Sequence, residues 1–353
     1  MDDGSVEVFD SEESLELILV YSLLSKIKVK IAMNKRKKMA TSFAKLLKSI
    51  SNGSMYLTEG EYLIFTPGSL SGGSLIFKCE EEISIYIIPL LVLCAFVSEP
   101  LKIRFKGITN GNMCVDMIRI AHFGVMRRFG IDGCELVVKK RGFEPEGQGE
   151  VMLSMSGARK ISVVDFADDE KIVKVRGLVL SSRLSSTPTR EMTEVIKRLL
   201  GDVSRVKVFS NVSNRLDSGP SPGFQCNVFA ESKNGIYYST VNGRNEENVD
   251  VKSLDRVRKP EEAAEMACHE LLRSVKAGGV FDRKLVYLGL SLMCLSPRSV
   301  SRIKICKVDH EIAKVFELLK RFFKFEYEIK KHEGGYIVYG SGNGYTNVMR
   351  QLK

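Results

Sequence analysis

Apolar and polar positions along this chain recur in the same order more than once. Residues 6–9 read as a strand. Asp10 with Glu13 three residues on forms a helix-capping box, and Leu15, Ile18, Leu19 and Leu23 give the following helix its apolar stripe. Alternation in Lys26-Ile27-Lys28-Val29-Lys30-Ile31 predicts a strand whose lysines share one face. A helix carrying Phe43, Leu46, Leu47 and Ile50 and a hairpin near 55–66 complete the first pass. The second pass repeats the order: strand 74–79, apolar helix 84–97, strand 101–106, helix 114–129 with Val115, Ile118, Val125 and Phe129 inward, and strands 134–139 and 148–154. Both read β-α-β-α-β-β, about 70 residues apart, which is the mark of an internal repeat.

A third pass is split. Strand 161–165 begins it; helix 282–295, strand 300–306, helix 310–323 and strands 325–331 and 335–340 finish it. Ile312, Val315, Phe316, Leu319 and Phe322 share one face of the last helix. Between the halves lie strand 172–180, a helix with Met192, Val195, Ile196 and Leu199, strand 205–209, and the loop Ser218-Gly219-Pro220-Ser221-Pro222-Gly223. The pattern therefore predicts an α+β protein of three related units packed together, with a smaller α/β domain inserted in the third. The units fall at 1–70, at 71–158, and at 159–168 with 273–353; the insertion is 169–272.

Composition fits a globular chain of 353 residues with 44% hydrophobic and 27% charged positions. Charge changes the picture more. The net charge is +10, from 53 Lys and Arg against 43 Asp and Glu, which favours a polyanionic partner. It is also unevenly spread. Residues 1–25 hold seven acids and no Lys or Arg, whereas 26–48 hold nine bases and no acid. Lys35, Arg36, Lys37 and Lys38 are the densest run, and Lys102, Arg104, Lys106, Arg119, Arg127 and Arg128 face Asp116 alone in 101–128. These are candidates for phosphate or RNA contact. With no Trp and few suitable aromatics, backbone contact is expected before base readout. An acidic protein segment would fit the same patches.

Eight scattered cysteines without a C-x-x-C spacing read as buried free thiols in a reducing compartment, and no metal site is expected. The apolar stretch 83–97 contains Pro89 and falls short of the about 20 residues a membrane span needs. Without a basic leader at the start, a soluble intracellular protein is expected.

Three places could carry chemistry. Arg141-Gly142-Phe143-Glu144-Pro145-Glu146-Gly147-Gln148-Gly149-Glu150-Val151 has glycines that let backbone N–H groups approach an anion, with Lys139, Lys140 and Arg141 adding charge. On composition alone the same segment reads first as a hairpin turn between two strands of the second unit, and Glu144, Glu146 and Glu150 oppose a phosphate. His310 stands at a helix start beside Asp309, as a nucleophile or as a polar end residue. Asp282-Arg283-Lys284 offers an acid for metal-assisted cleavage or a plain helix cap.

The order of elements and the run R-G-F-x-P-x-G-x-G-E-V resemble the RNA 3′-terminal phosphate cyclase superfamily. Further segments are similar to it: Thr66-Pro67-Gly68-Ser69-Leu70-Ser71-Gly72-Gly73, and Ile108-Thr109-Asn110 with Val115-Asp116; Ser218-Gly219-Pro220-Ser221-Pro222-Gly223-Phe224 is similar to a loop of its cyclase-like branch. Lys276-Ala277-Gly278-Gly279-Val280 and Gly342-Asn343-Gly344-Tyr345-Thr346-Asn347-Val348 resemble its cyclase-like branch. True cyclases adenylylate a histidine with ATP and then close an RNA 3′-phosphate into a 2′,3′-cyclic phosphate. The cyclase-like branch is implied to be a nucleolar, non-catalytic assembly factor of the small-subunit processome. It acts in early processing of the small-subunit ribosomal RNA precursor, beside a processome GTPase, precursor RNA and snoRNP components.

The residues depart from the cyclase pattern where ATP would bind. Phe9-Asp10-Ser11-Glu12-Glu13-Ser14-Leu15 has no glycine or arginine, and its carboxylates repel a triphosphate. The glycine triplet is interrupted as Gly147-Gln148-Gly149. Near the cyclase nucleophile position His310 is followed by Ala313 and Lys314 rather than Thr/Ser-Asn. The resemblance thus implies a pseudoenzyme with no cofactor and no membrane partner. A residual cyclase using His310, an endonuclease, and a scaffold touching only its GTPase are the rivals.

Overall fold

The computed structural model describes residues 6–9, 14–33, 36–158, 160–168, 170–203, 205–244 and 258–345. Three of its four-stranded sheets share one plan. In spatial order the first holds strands Glu7–Phe9, Val29–Ala32, Tyr62–Thr66 and Met55–Glu59. The second holds Gly73–Glu82, Leu101–Ile108, Gly149–Met155 and Cys134–Lys140. The third holds Asp165–Phe166, Val300–Ile305, Gly335–Ser341 and Glu326–His332. Each sheet opens with a parallel pair and closes with two antiparallel ones. The chemistry of connection explains this: parallel neighbours need a crossover, which a helix supplies, whereas the last two strands close as a hairpin. The fold is the expected α+β arrangement of three repeats with a smaller α/β unit inserted in the third.

The inserted sheet runs Lys207–Ser213, Lys174–Ser182, Gly223–Glu231, Ile236–Gly243. Helices Thr187–Leu200 and Pro260–Ala277 pack on it and enclose a core of its own around Val179, Ile196, Phe224, Cys226 and Leu271. The last two strands and the second helix are not expected from the sequence pattern. Gly223–Glu231 is buried along nearly its whole length, so it shows no alternation to read.

Helix Leu15–Ser25 is buried on all sides from Leu15 to Leu24 rather than along a stripe. It is a central helix, touching helices Lys37–Ser49, Ile83–Leu90 and His310–Phe323. Tyr21 Oη lies 2.6 Å from Ser291 Oγ of helix Val286–Cys294, which ties the first repeat to the third. The proposed cap at Asp10 and Glu13 lies outside the described residues. Two expected helices are interrupted. The first is α-helical over Ile83–Leu90 and continues as a 3-10 helix over Leu91–Phe96. Pro89 sits inside it and cannot donate to the preceding turn. The second is Val115–Met117, a π-helical turn Ile118–His122, then Phe123–Arg128. Strand 161–165 shrinks to Asp165–Phe166. All eight cysteines are free. No helix among the described residues is long and apolar enough to cross a membrane.

Candidate nucleic-acid interface

Arg141 follows the strand Cys134–Lys140 and turns into the protein, 9% exposed. Its Nη1 donates to Asp116 Oδ2 at 2.7 Å and its Nε to Asn211 Oδ1 at 3.2 Å. Its backbone N–H donates to the Asp217 carbonyl at 3.0 Å, and its own carbonyl accepts from Gly219 N–H at 2.6 Å. Burial alone would lower the guanidinium's pKa, but the Asp116 carboxylate beside it holds it above the usual value.

The cyclase-like segments meet at this point. Gly142 N–H donates to Thr109 Oγ1 at 2.9 Å. Asn110 Nδ2 donates to Gln225 Oε1 at 2.6 Å, and Gln225 Nε2 donates to the Gly111 carbonyl at 2.9 Å. Glu146 N–H donates to Ser221 Oγ at 3.1 Å. A Cβ on Gly219 would lie 1.8 Å from the Gly147 carbonyl oxygen, and one on Gly142 would lie 2.4 Å from Gly149 N. Gly147 and Gly149 are buried too. Gly219 thus permits backbone-to-backbone packing of the insertion on the second repeat, while Gly142 lets the 141–149 loop close on itself. His122 belongs to the same seam, with ring centroids of Tyr238 and Tyr287 at 6.1 and 6.4 Å. Burial pushes its pKa down to about 3, although the Met117 carbonyl pulls the other way.

The outer face of the second sheet is built differently. Strand Leu101–Ile108 alternates buried and exposed residues, which sends Lys102, Arg104 and Lys106 to solvent. Register extends this into rows. Lys78, Lys106, Glu150 and Lys140 lie in line across the four strands. Ile76, Arg104, Met152 and Val137 form the next row, and Ser74, Lys102, Ser154 and Glu135 the third. Five cations therefore share a face with two carboxylates. Arg104 Nε is 3.5 Å from Glu150 Oε1, with its side chain 44% exposed. Lys139 is exposed at the register shift beside Lys140. A groove of about 590 Å³ crosses one end of the face, lined by Lys78, Lys106, Lys140, Glu80, Glu146 and Glu150.

The other repeats lack this excess. The corresponding row of the first sheet is Val8, Lys30, Ile64 and Leu57. In the third, Arg302 is paired with Asp165 and stands in a row with Tyr339 and Glu328. Of the run expected to bind phosphate, Lys35 lies outside the described residues, and Arg36 is ion-paired with Glu16. Lys37 and Lys38 are exposed at the start of helix Lys37–Ser49, beside a second groove. Lys78 was not among the candidates, although the alternation of Ser74, Ile76, Lys78 and Glu80 marks it. Asp116 carried no local signal as the partner of Arg141.

The family model for RNA 3′-terminal phosphate cyclase matches residues 12–329. The chain belongs to the RNA 3′-terminal phosphate cyclase family. It is 29% identical over 329 residues to the RNA 3′-terminal phosphate cyclase-like proteins of Homo sapiens and Bos taurus, covering 88% of this chain and 87% of each of theirs. It is 26% identical over 325 residues to the rRNA processing protein rcl1 of Schizosaccharomyces pombe, with 88% of this chain and 87% of that protein covered.

In this member of the cyclase family, His310 is an exposed first residue of helix His310–Phe323. The neighbouring Asp309 accepts from Ile312 N–H at 3.2 Å and caps the helix. Asp309 also binds Arg283, with Lys307 Nζ 3.6 Å away, and Arg283 Nη2 donates to Glu311 Oε2 at 2.7 Å. Burial works against its charge, but Arg283 and the helix N–H hold the Asp309 carboxyl below its usual pKa. Asp282 is 2% exposed, accepts from Lys284 N–H at 3.0 Å, and is pushed above its usual pKa by burial. Among the described residues no three of His, Cys, Asp and Glu gather where they could hold a metal ion. The acidic segment 10–13 lies outside the described residues.

Proposed function

We propose that this cyclase-family protein is a non-catalytic factor in ribosomal RNA processing, which holds RNA by its phosphates on the outer face of the second sheet. The five cations in the three rows of that face carry the reading. Lys78, Lys102, Arg104, Lys106 and Lys140 stand in rows that hold two carboxylates, Glu150 and Glu135, while Glu80, Glu81 and Glu146 line the groove at one end. Such a face neutralises phosphates and releases their counterions without reading bases, since no aromatic side chain stands in the rows. The cyclase-like and rRNA-processing names of the relatives support the same reading. So does the use of Arg141 as an internal tie.

In this reading the protein is a nucleolar assembly factor of the small-subunit processome, with a GTPase and snoRNP components as partners. Residues 1–70, 71–158 and 159–168 with 273–353 are its repeats, and 169–272 is its insertion. Incubation with labelled ATP and an RNA 3′-phosphate tests the missing chemistry. The expected result is no covalently labelled protein and no cyclic phosphate. Stable adenylylation that disappears in His310→Ala would make the protein a cyclase.

A further inference from the structure

Strand Gly73–Glu82 is an edge of the second sheet and pairs on one side only, with Leu101–Ile108. Exposed edges are normally guarded by charge, proline or a bulge, because their free N–H and C=O groups template another strand. Residues 73–77 are Gly, Ser, Leu, Ile and Phe, and the register shift comes only after Lys78. Ile76 is 63% exposed on this unguarded stretch.

Helix Lys37–Ser49 runs beside the edge and leaves an open groove of about 890 Å³. The helix wall contributes Lys37, Lys38 and Lys45; the strand contributes Leu75, Ile76 and Lys78. Glu80 is the one acid among the described lining residues. Lys37 Nζ donates to the Gly60 carbonyl at 3.2 Å, which holds the start of the helix beside the groove.

We propose that this groove takes an extended acidic peptide, which adds to the edge at 73–77 as a fifth strand of the second sheet. A peptide main chain supplies both donors and acceptors at the strand spacing of about 4.8 Å. A phosphodiester backbone supplies acceptors but gives the strand carbonyls no donor beyond the ribose hydroxyl. Side chains of an added strand alternate. One set meets the helix lysines and suits Asp or Glu, and the other lies along Ile76 and suits Val or Ile. The inference differs from the RNA reading in ligand and in its use of main-chain pairing along the edge, although Ile76 and Lys78 also stand in the outer-face rows.

Hydrogen–deuterium exchange of the full chain tests it, with a capped ten-residue peptide of alternating Glu and Val as the probe. The expected result is at least fivefold slower exchange of the 73–77 amides. The same peptide N-methylated at every residue has no N–H on either edge, cannot pair as a strand and leaves the rates unchanged. The triple variant Lys37→Glu, Lys38→Glu, Lys45→Glu weakens peptide binding at least tenfold, and so does Ile76→Glu, a change on an exposed side chain. No protection by the probe, equal protection by its N-methylated form, or protection at 73–77 by a twenty-nucleotide poly(U) and not by the peptide would each overturn the proposal.

Discussion

Arg141 and Arg104 belong to one four-stranded unit and have opposite surroundings. Arg141 sits in the segment that most resembles a cyclase, and it is buried against Asp116 with its backbone bonded into the insertion. Arg104 sits in an ordinary alternating strand, faces water, and shares Glu150 with its cationic neighbours. A burial this complete commits a charge to one partner, because an unpaired ion inside costs several kcal/mol. An exposed arginine on a sheet with more cations than carboxylates stays available to phosphates. The recognisable motif therefore marks where the architecture is locked, and the unremarkable strand is where the proposed function has a polyanion bind.

The largest effect expected from this contrast is on stability. Asp116→Asn strands the Arg141 charge in a buried site and should cost about 3–5 kcal/mol, read by urea unfolding. A loss below about 1 kcal/mol would mean that Arg141 is free to serve a ligand. Next comes the pH dependence of the seam beside it. The unfolded His122 imidazole takes a proton near pH 6.5, while the folded one stays neutral down to about 3. Its contribution is therefore complete above pH 6.5 and is lost as the pH falls toward 3. Between pH 7 and 5 the wild type should lose up to about 2 kcal/mol more than His122→Phe does, measured by urea unfolding at both values. Equal losses would mean that folding does not hold the His122 imidazole neutral. The smallest effect belongs to the outer face: Arg104→Ala should change stability by no more than about 0.5 kcal/mol.

Legibility in the sequence followed the range of the forces involved. Helix His310–Phe323 was readable to the residue, since its stripe and its Asp309 cap are local. Helix Leu15–Ser25 was found but its stripe was not real, because neighbours from three parts of the chain cover every side. Asp165–Phe166 came out short, its parallel partner Val300–Ile305 lying beyond the whole insertion. The repeats were legible because one plan of periods recurs. At the candidate site, alternation exposed Arg104 and its neighbours. The pairing of Arg141 with Asp116 came from tertiary packing, which leaves no spacing to read. Glycine in the 141–149 loop signalled close approach correctly in kind; the approaching group is the protein's own backbone at Gly219.

The central claim is that the outer face of the second sheet binds RNA through phosphates. Its most direct test is the salt dependence of affinity for single-stranded RNA, compared between the wild type and Lys102→Glu, Arg104→Glu, Lys106→Glu. Each lost phosphate contact should lower the slope of log K against log salt by about 0.7. The account predicts a slope reduced by about 2 and an affinity at least tenfold weaker at low salt, with unfolding unchanged. An unchanged slope and affinity in the folded triple variant would contradict it.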